Sequence, residues 1–287
     1  MGTITGLSSP VNTGVVASGA GGNAVAQDMN GDGLDDLVWL VPTGEVSVQW
    51  RARELNGTFS STPGYLFGPA EGFEALRPLA EAWVTRSRRK PDFDGDGRGD
   101  VLVALGFYDW GPPVFFESAV TATGNIFSTD YVDGADRRYL DLNADGYTDV
   151  AYTSGGYWYY RLSTGTTFLA SVQGPAVGAQ TPAQAIVTDW DSDGYDDIVV
   201  PASGNWQLMR STGEAISAPV STGQSASSSA AFTGDADGDG LLDLIYVRTD
   251  GTLAYRLHAG MAPDLLTTVT DGFGNFTTFS YAPLARY

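Results

Sequence analysis

The chain has 287 residues, of which 43% are hydrophobic, and its formal net charge is −19. Such an acidic chain lacks the basic face that phosphate binding requires, so nucleic acid is excluded as a partner. It contains no cysteine, so no disulfide framework can be read from it, and no run of 18 apolar residues predicts a membrane span.

A nine-residue acidic segment occurs five times, and an apolar, strand-like run follows each copy. Asp or Asn occupies positions 1, 3 and 5, glycine occupies position 6, and Asp occupies position 9. The copies, called loops 1 to 5 below, are residues 28–36, 92–100, 141–149, 189–197 and 235–243. Alternate oxygen ligands followed by a sharp turn at glycine can surround one hard cation, and Ca²⁺ takes about six to eight oxygens.

The sequence therefore predicts about five Ca²⁺ sites, one in each loop. Magnesium prefers fewer protein ligands. Zinc prefers cysteine or histidine, and the chain has no cysteine and one histidine. The predicted ligands are the side chains at positions 1, 3, 5 and 9 and the backbone carbonyl oxygen at position 7. They are Asp28, Asn30, Asp32, Leu34 and Asp36; Asp92, Asp94, Asp96, Arg98 and Asp100; Asp141, Asn143, Asp145, Tyr147 and Asp149; Asp189, Asp191, Asp193, Tyr195 and Asp197; and Asp235, Asp237, Asp239, Leu241 and Asp243. Position 8 varies among the copies, so we expect its side chain to face solvent.

The EF-hand calcium loop begins in the same way, but it requires Glu at position 12 and flanking helices. Position 12 is Trp39, Val103, Tyr152, Val200 and Tyr246 in the five copies. These residues lie in β-forming segments, which excludes the EF-hand. The loops hold 20 of the 34 acidic residues, so the acidity of the chain is mainly a metal requirement.

The loops begin 64, 49, 48 and 46 residues apart. A period near 48 is typical of propeller blades, which are four-stranded sheets arranged around an axis. Each repeat is predicted as strand, loop, strand, turn, strand, turn, strand. The long first spacing places an insertion in residues 70–90, which we predict as a loop or a short helix. Residues 1–27 could hold strands of another blade. The sequence is therefore compatible with two alternatives, a closed five-bladed ring and part of a six- or seven-bladed wheel.

In residues 264–284, alternating β-formers flank Asp271-Gly-Phe-Gly-Asn275, which predicts a β-hairpin outside the 48-residue period. We assign residues 1–263 to the propeller and residues 264–287 to a hairpin and linker that lead to a following domain.

No catalytic site is predicted. The chain has no Gly-x-Ser-x-Gly elbow, and its one histidine, His258, is interpreted as a packed or surface strand residue. Most tryptophans are predicted to pack in the core, because they lie at strand positions. The candidate partner-binding residues are three arginines of the insertion and one tryptophan outside the strands: Arg86, Arg88, Arg89 and Trp110.

The five loops resemble the FG-GAP/VCBS repeats of integrin-α-like propellers. The tail from Leu265 to Pro283 is similar to the segment that follows such a propeller in SpvB-like proteins, Tc-toxin B components and RHS-repeat proteins. This resemblance implies a docking module on a large β-shell, within an exported or surface-bound bacterial assembly of which this chain is a segment.

The resulting hypothesis is an all-β chain, with a propeller of about five blades, stabilised by calcium and followed by the hairpin. It would bind another protein and catalyse no reaction. Two alternatives are a calcium-dependent, carbohydrate-binding lectin on the same frame and the recognition domain of a secreted hydrolase.

Overall fold

The computed structural model describes residues 24–41, 47–56, 58–62, 64–65, 75–78, 91–107, 114–123, 126–128, 137–226, 231–248, 250–259 and 266–280. Within these residues the chain is all-β, with five antiparallel sheets, a two-stranded hairpin and a short 3-10 helix, Pro182–Gln184. The described part contains no helix long and apolar enough to cross a membrane. The chain divides into two compact units, residues 1–83 with 96–131 and residues 84–95 with 132–287.

The first unit contains two four-stranded antiparallel sheets, in which each strand pairs with the next along the chain. Sheet 1 comprises β1 (Ala24–Gln27), β2 (Asp36–Val41), β3 (Ser47–Arg51) and β4 (Gly64–Tyr65). Sheet 2 comprises β5 (Ala75–Pro78), β6 (Val101–Phe107), β7 (Val114–Val120) and β8 (Ile126–Ser128). Loop 1 joins β1 to β2, and β2 is rich in the branched and aromatic residues that favour a sheet.

The second unit contains three sheets and the hairpin. Sheet 3 comprises β9 (Arg137–Leu140), β10 (Asp149–Ser154), β11 (Tyr157–Arg161) and β12 (Val172–Ala176). Sheet 4 comprises β13 (Ile186–Thr188), β14 (Asp197–Ala202), β15 (Asn205–Met209) and β16 (Val220–Ser225). Sheet 5 comprises β17 (Ala231–Gly234), β18 (Asp243–Val247) and β19 (Leu253–Arg256), and the hairpin comprises β20 (Thr268–Thr270) and β21 (Phe276–Thr278).

In sheets 1, 3, 4 and 5 the acidic loop directly joins the first strand to the second, as the repeat predicts. The second and third strands of sheets 3 and 4 are joined by two-residue turns. Gly155 and Gly156 form the turn in sheet 3, with φ of 55° and 85°, and Ser203 and Gly204 form it in sheet 4, with φ of 49° and 80°. Positive φ at both central residues matches the twist of the flanking strands, so these turns fix the register of the hairpins.

Two apolar layers form the core of the second unit. Trp158 of sheet 3 packs with Ile198 and Met209 of sheet 4 in the first layer. Val199 and Trp206, on the opposite face of sheet 4, pack in the second layer against sheet 5. Successive residues of β14 point to opposite faces of sheet 4, and each face is covered by one of these layers. The strand is therefore buried along its whole length. Full burial of each large apolar side chain stabilises the fold by about 1.5–3 kcal/mol.

The insertion predicted as a loop or short helix contains a strand, because Ala75–Pro78 forms β5 and pairs with β6. Elsewhere the first strand of a sheet ends at the residue before its loop, whereas β5 ends well before loop 2. The extra residues therefore lie between β5 and loop 2, where residues 79–90 are outside the described part of the chain.

The C-terminal hairpin pairs Thr268 with Thr278 in antiparallel register. Its turn is held by the carboxylate of Asp271, which accepts the backbone N–H groups of Phe273 (2.8 Å) and Asn275 (2.9 Å). Every described residue of the hairpin is exposed, including both aromatic side chains near its turn.

Candidate metal centre

The aspartate at position 1 folds each loop around its own carboxylate. In loop 1, Asp28 Oδ1 accepts the N–H of Gly31 and Oδ2 accepts the N–H of Gly33, both at 2.8 Å. The contact with the position-6 glycine recurs in loops 3, 4 and 5 at 3.0–3.1 Å. The position-5 aspartate accepts the position-7 N–H in all five loops at 2.8–2.9 Å. These contacts hold the carboxylates of positions 1 and 5 against the loop backbone, although the position-5 aspartate remains exposed in loops 1 to 4.

Two positions in each loop have a left-handed backbone. The position-6 glycines have φ between 81° and 93°, as the predicted sharp turn requires. Position 4 also has positive φ in all five loops: Gly31, Gly95, Ala144, Ser192 and Gly238. Sequence reasoning missed this second constraint, although glycine at three of the five copies was its signal.

The aspartate at position 9 holds the loop against the end of the third strand. Asp149 Oδ2 accepts the N–H of Leu142 (2.9 Å), and its Oδ1 accepts the N–H of Ser163 (2.7 Å). The same pair of contacts recurs at Asp36 (Met29 and Arg53), Asp197 (Trp190 and Ser211) and Asp243 (Ala236 and His258). A carboxylate offers about four acceptor positions, so each of these residues retains capacity for a cation.

The carboxylates also gather around the centres of the loops. Asp189, Asp191 and Asp197 each place one oxygen within 4.8 Å of the others, and the first three aspartates of loop 5 do the same. Within these groups, Asp191 Oδ1 and Asp237 Oδ1 are buried and have no hydrogen-bond donor, whereas Asp191 Oδ2 lies 3.2 Å from Arg210 Nη1. A buried carboxylate oxygen without a donor is costly unless a cation satisfies it. The donor set contains only oxygens, and it fits a hard cation such as Ca²⁺.

Burial changes the acidity of these groups. It raises the pKa of Asp149 and of Asp197 to about 7, although both accept two backbone hydrogen bonds that favour the charged form. Burial also raises the pKa of Asp36 and of Asp189, and nearby loop carboxylates act in the same direction. A bound cation would reverse this effect, because metal ligands bind in their deprotonated form.

The residue at position 8 connects neighbouring loops. Thr148 donates its N–H to the carbonyl oxygen of Asp92 (2.7 Å), and its Oγ1 accepts the N–H of Asp92 (2.8 Å). Asp196 makes the same two contacts with Asp141, both at 2.8 Å, through its N–H and its Oδ2. In the first unit, the N–H of Gly99 donates to the carbonyl oxygen of Asp28.

The expectation that position 8 faces solvent is therefore wrong for Thr148 and Asp196, which are buried against the preceding loop. It is also wrong for Leu242, which is buried, and it holds for Asp35, which is exposed. Thr148 and Asp196 can replace each other at this position because the backbone N–H makes one contact, and either a hydroxyl or a carboxylate can make the other.

Further contacts reach loop 3 and the second-unit part of loop 2 from the segments that follow the third strands of sheets 3 and 4. Ser211 Oγ donates to the carbonyl oxygen of Leu142 in the preceding loop (2.6 Å), and Ser163 Oγ donates to that of Phe93 (3.0 Å). The ring of Tyr147 covers Gly95 so closely that an added Cβ atom would lie 2.4 Å from it. Loop 3 and the second-unit part of loop 2 are therefore tied to neighbouring segments rather than free turns.

Loop 2 is divided between the two units, because residues 92–95 belong to the second unit and residues 96–100 belong to the first. In the second unit, the N–H of Gly95 donates to Asp92 Oδ1 (2.7 Å). In the first unit, Asp100 is buried and its Oδ1 accepts the N–H of Ala122 (2.9 Å).

The histidine and three tryptophans considered in the sequence are packed, whereas the candidate partner-binding residues lie outside the described part of the chain. His258 stacks on Trp190 with ring centroids 4.6 Å apart, which fits the packed role expected for it. Trp39, Trp158 and Trp206 are buried, as core residues should be. The candidate partner-binding residues lie outside the described part of the chain: Arg86, Arg88, Arg89 and Trp110.

Comparison with known proteins supports the repeat. The sequence model of the FG-GAP-like repeat matches residues 141–200 and 189–246. Each match begins at one loop and extends through the next, so the family pattern covers loops 3, 4 and 5 and the strands between them. A search of curated proteins found no match.

Among solved structures, the chain is similar to an Agrocybe aegerita lectin that recognises non-reducing terminal N-acetylglucosamine. The identity is 14%, the TM-score is 0.40, and the match covers 78% of this chain and 73% of the lectin. A Photorhabdus luminescens Tc holotoxin pore matches at 17% identity and a TM-score of 0.44, over 79% of this chain and 11% of that chain. A V. cholerae biofilm matrix protein matches at 18% identity and a TM-score of 0.32, over 80% and 38%.

Proposed function

We propose that this chain is a calcium-stabilised β-propeller module that binds another protein and catalyses no reaction. The proposal rests on the recurrent loop, whose carboxylates cluster and in which Asp191 Oδ1 and Asp237 Oδ1 are buried without a hydrogen-bond donor. The match of the FG-GAP-like repeat to residues 141–246 supports a repeated, propeller-type architecture. Residues at positions 1, 3, 5, 7 and 9 of each loop would hold the Ca²⁺.

In this proposal the cation has a structural role. The loop carboxylates repel one another, and the buried ones lose hydration. A cation that binds only the folded state stabilises that state in proportion to its concentration and affinity. Millimolar extracellular calcium suits such sites, so we place the module in an exported bacterial assembly of the SpvB, RHS or Tc-toxin type, in agreement with the resemblance of its loops and tail.

The surface proposed for protein binding is the face of sheet 5 that points away from sheet 4. Phe232, Ile245 and Tyr255 form one cross-strand row on this face, and Phe232 and Tyr255 are 48% and 61% exposed. The equivalent row of sheet 4 is buried beneath sheet 5 and consists of Ile186, Val199 and Leu208. Because a sheet covers that row, we propose that a partner with an apolar β-sheet covers the row of sheet 5.

Calcium removal tests the structural role. The melting temperature should fall by several degrees when excess EDTA replaces millimolar Ca²⁺, since the stabilisation follows the free ligand concentration. Differential scanning calorimetry measures the shift, and elemental analysis of the dialysed protein measures bound metal. A melt that is unchanged by EDTA, with no calcium retained after dialysis, would refute the metal assignment.

Protein binding can be tested with the separately produced remainder of the parent polypeptide and isothermal titration calorimetry. Tyr255→Glu should weaken binding about ten-fold or more, because it places a charge in an apolar contact. Phe273→Glu, at a 94% exposed hairpin position, is the matched control and should bind normally. Equal binding by Tyr255→Glu would contradict the proposed surface, and calcium-dependent binding on a glycan array would support the lectin alternative instead.

A further inference from the structure

We propose that Asp196 couples the calcium sites of loops 3 and 4, so that filling either site strengthens binding at the other. The inference rests on the proposed function, because it concerns the same loops. Asp196 lies in loop 4 between two predicted ligands, the carbonyl oxygen of Tyr195 and the carboxylate of Asp197. It also forms hydrogen bonds with the backbone N–H and the backbone carbonyl oxygen of Asp141, the first predicted ligand of loop 3.

The geometry makes this a two-point attachment. The N–H of Asp196 donates to the carbonyl oxygen of Asp141, and Asp196 Oδ2 accepts the N–H of Asp141, both at 2.8 Å. Asp141 and Asp196 are each about 4% exposed, so water does not compete effectively for these bonds. The main chain of Asp141 is therefore fixed whenever residues 195–197 are fixed.

When loop 4 holds its cation, Tyr195 and Asp197 would be fixed as ligands. The backbone of Asp196, which lies between them, would then lose its remaining conformational freedom. Asp141 is then already ordered, and loop 3 loses less conformational entropy when it binds its own cation. Such sharing of an ordering cost gives positive cooperativity without a change of fold. The coupling is reciprocal, so a loaded loop 3 must favour loop 4 by the same factor.

The chain itself provides the conservative replacement. Thr148 occupies the same loop position and makes the same two contacts with Asp92, using its hydroxyl in place of a carboxylate. Asp196→Thr should therefore preserve the attachment to Asp141. Asp196→Val has nearly the same shape and charge as the threonine variant but offers no acceptor, so the pair isolates one hydrogen bond.

Hydrogen exchange of the full chain, followed by mass spectrometry during a Ca²⁺ titration, gives a separate midpoint for each loop. Asp196→Val should raise the calcium midpoint of loop 3 about five-fold or more relative to Asp196→Thr, within the usual range of coupling between sites. Calcium-free Asp196→Val should also exchange faster in loop 3, which does not depend on any bound metal. Equal midpoints for the two variants would overturn the coupling.

A second variant tests the proposal without altering Asp196. Asp193→Ala removes an exposed predicted ligand of loop 4 and should raise the midpoint of loop 3 in the native background. It should have little further effect on loop 3 in the Asp196→Val background, which closes a double-mutant cycle. An unshifted loop 3 midpoint in Asp193→Ala would refute the coupling alone, whereas a lack of calcium protection in every loop would refute the proposed function.

Discussion

At the scale of single residues, the loops impose a backbone constraint at position 4 that the ligand pattern does not reveal. Ala144 and Ser192 adopt φ of 56° and 59°, a left-handed conformation that costs a non-glycine residue about 1–2 kcal/mol. Glycine in the other three copies avoids this cost. Loops 3 and 4 therefore contain strain that loops 1, 2 and 5 lack.

Relief of this strain should stabilise the protein. Ala144→Gly is expected to raise the free energy of unfolding by about 0.5–1 kcal/mol, because the gain in the loop exceeds the added freedom of the unfolded chain. Gly95→Ala is the opposite test, since its Cβ atom would meet the ring of Tyr147 at 2.4 Å. Urea denaturation in EDTA measures both variants. Stabilisation by Gly95→Ala, or loss of stability in Ala144→Gly, would contradict the strain assigned to position 4.

At the scale of elements, the position-9 aspartate belongs to the sheet as much as to the loop. It begins the second strand in sheets 1, 3, 4 and 5. In sheet 4, Asp197 accepts the N–H of Trp190 from the loop and the N–H of Ser211 beyond the third strand. One buried carboxylate thus joins the start of the loop, the second strand and the segment that follows the third strand.

This dual role predicts different costs for two aspartates of the same loop. Asp197→Ala should lower stability by about 2–5 kcal/mol in EDTA, because two backbone N–H groups lose their buried acceptor. Asp193→Ala should cost less than about 1 kcal/mol in EDTA, since its exposed side chain accepts only the N–H of Tyr195. Its main effect should be to reduce the stabilisation by calcium. Chemical denaturation with and without Ca²⁺ measures both, and equal losses in EDTA would disprove the distinction.

At the scale of the whole molecule, the period of the loops was enough to predict the sheets, because a strand on each side of a loop is a local pattern. The continuous apolar run from Ile198 to Val200 is typical of a strand that is buried on both faces. The attachment of Asp196 to Asp141 was not predictable, because its partner 55 positions away is the backbone of Asp141, which carries no sequence signal. The same limit applies to β5, which an insertion separates from its loop.

The dependence of stability on pH should be steeper in the calcium-free protein than in the calcium-bound protein, in which the carboxylates are deprotonated ligands. The pKa of Asp149 and of Asp197 is raised to about 7 in the folded state, from an ordinary value of 3.8. Between these values the folded state holds protons that the unfolded chain has released. The stabilisation is therefore complete below about pH 4 and is lost as the pH rises through about 7.

In EDTA, the melting temperature should fall between pH 5 and pH 8. The increase in melting temperature produced by calcium should grow over the same range, because protons compete with the cation for the carboxylates. General repulsion from the net charge of −19 acts in the same direction in EDTA, so a control is needed. Asp149→Asn with Asp197→Asn removes the two titrating groups but little of the net charge, and it should flatten the slope. If the slope in EDTA is unchanged in this double variant, repulsion across the whole chain is its cause and the two buried carboxylates are not.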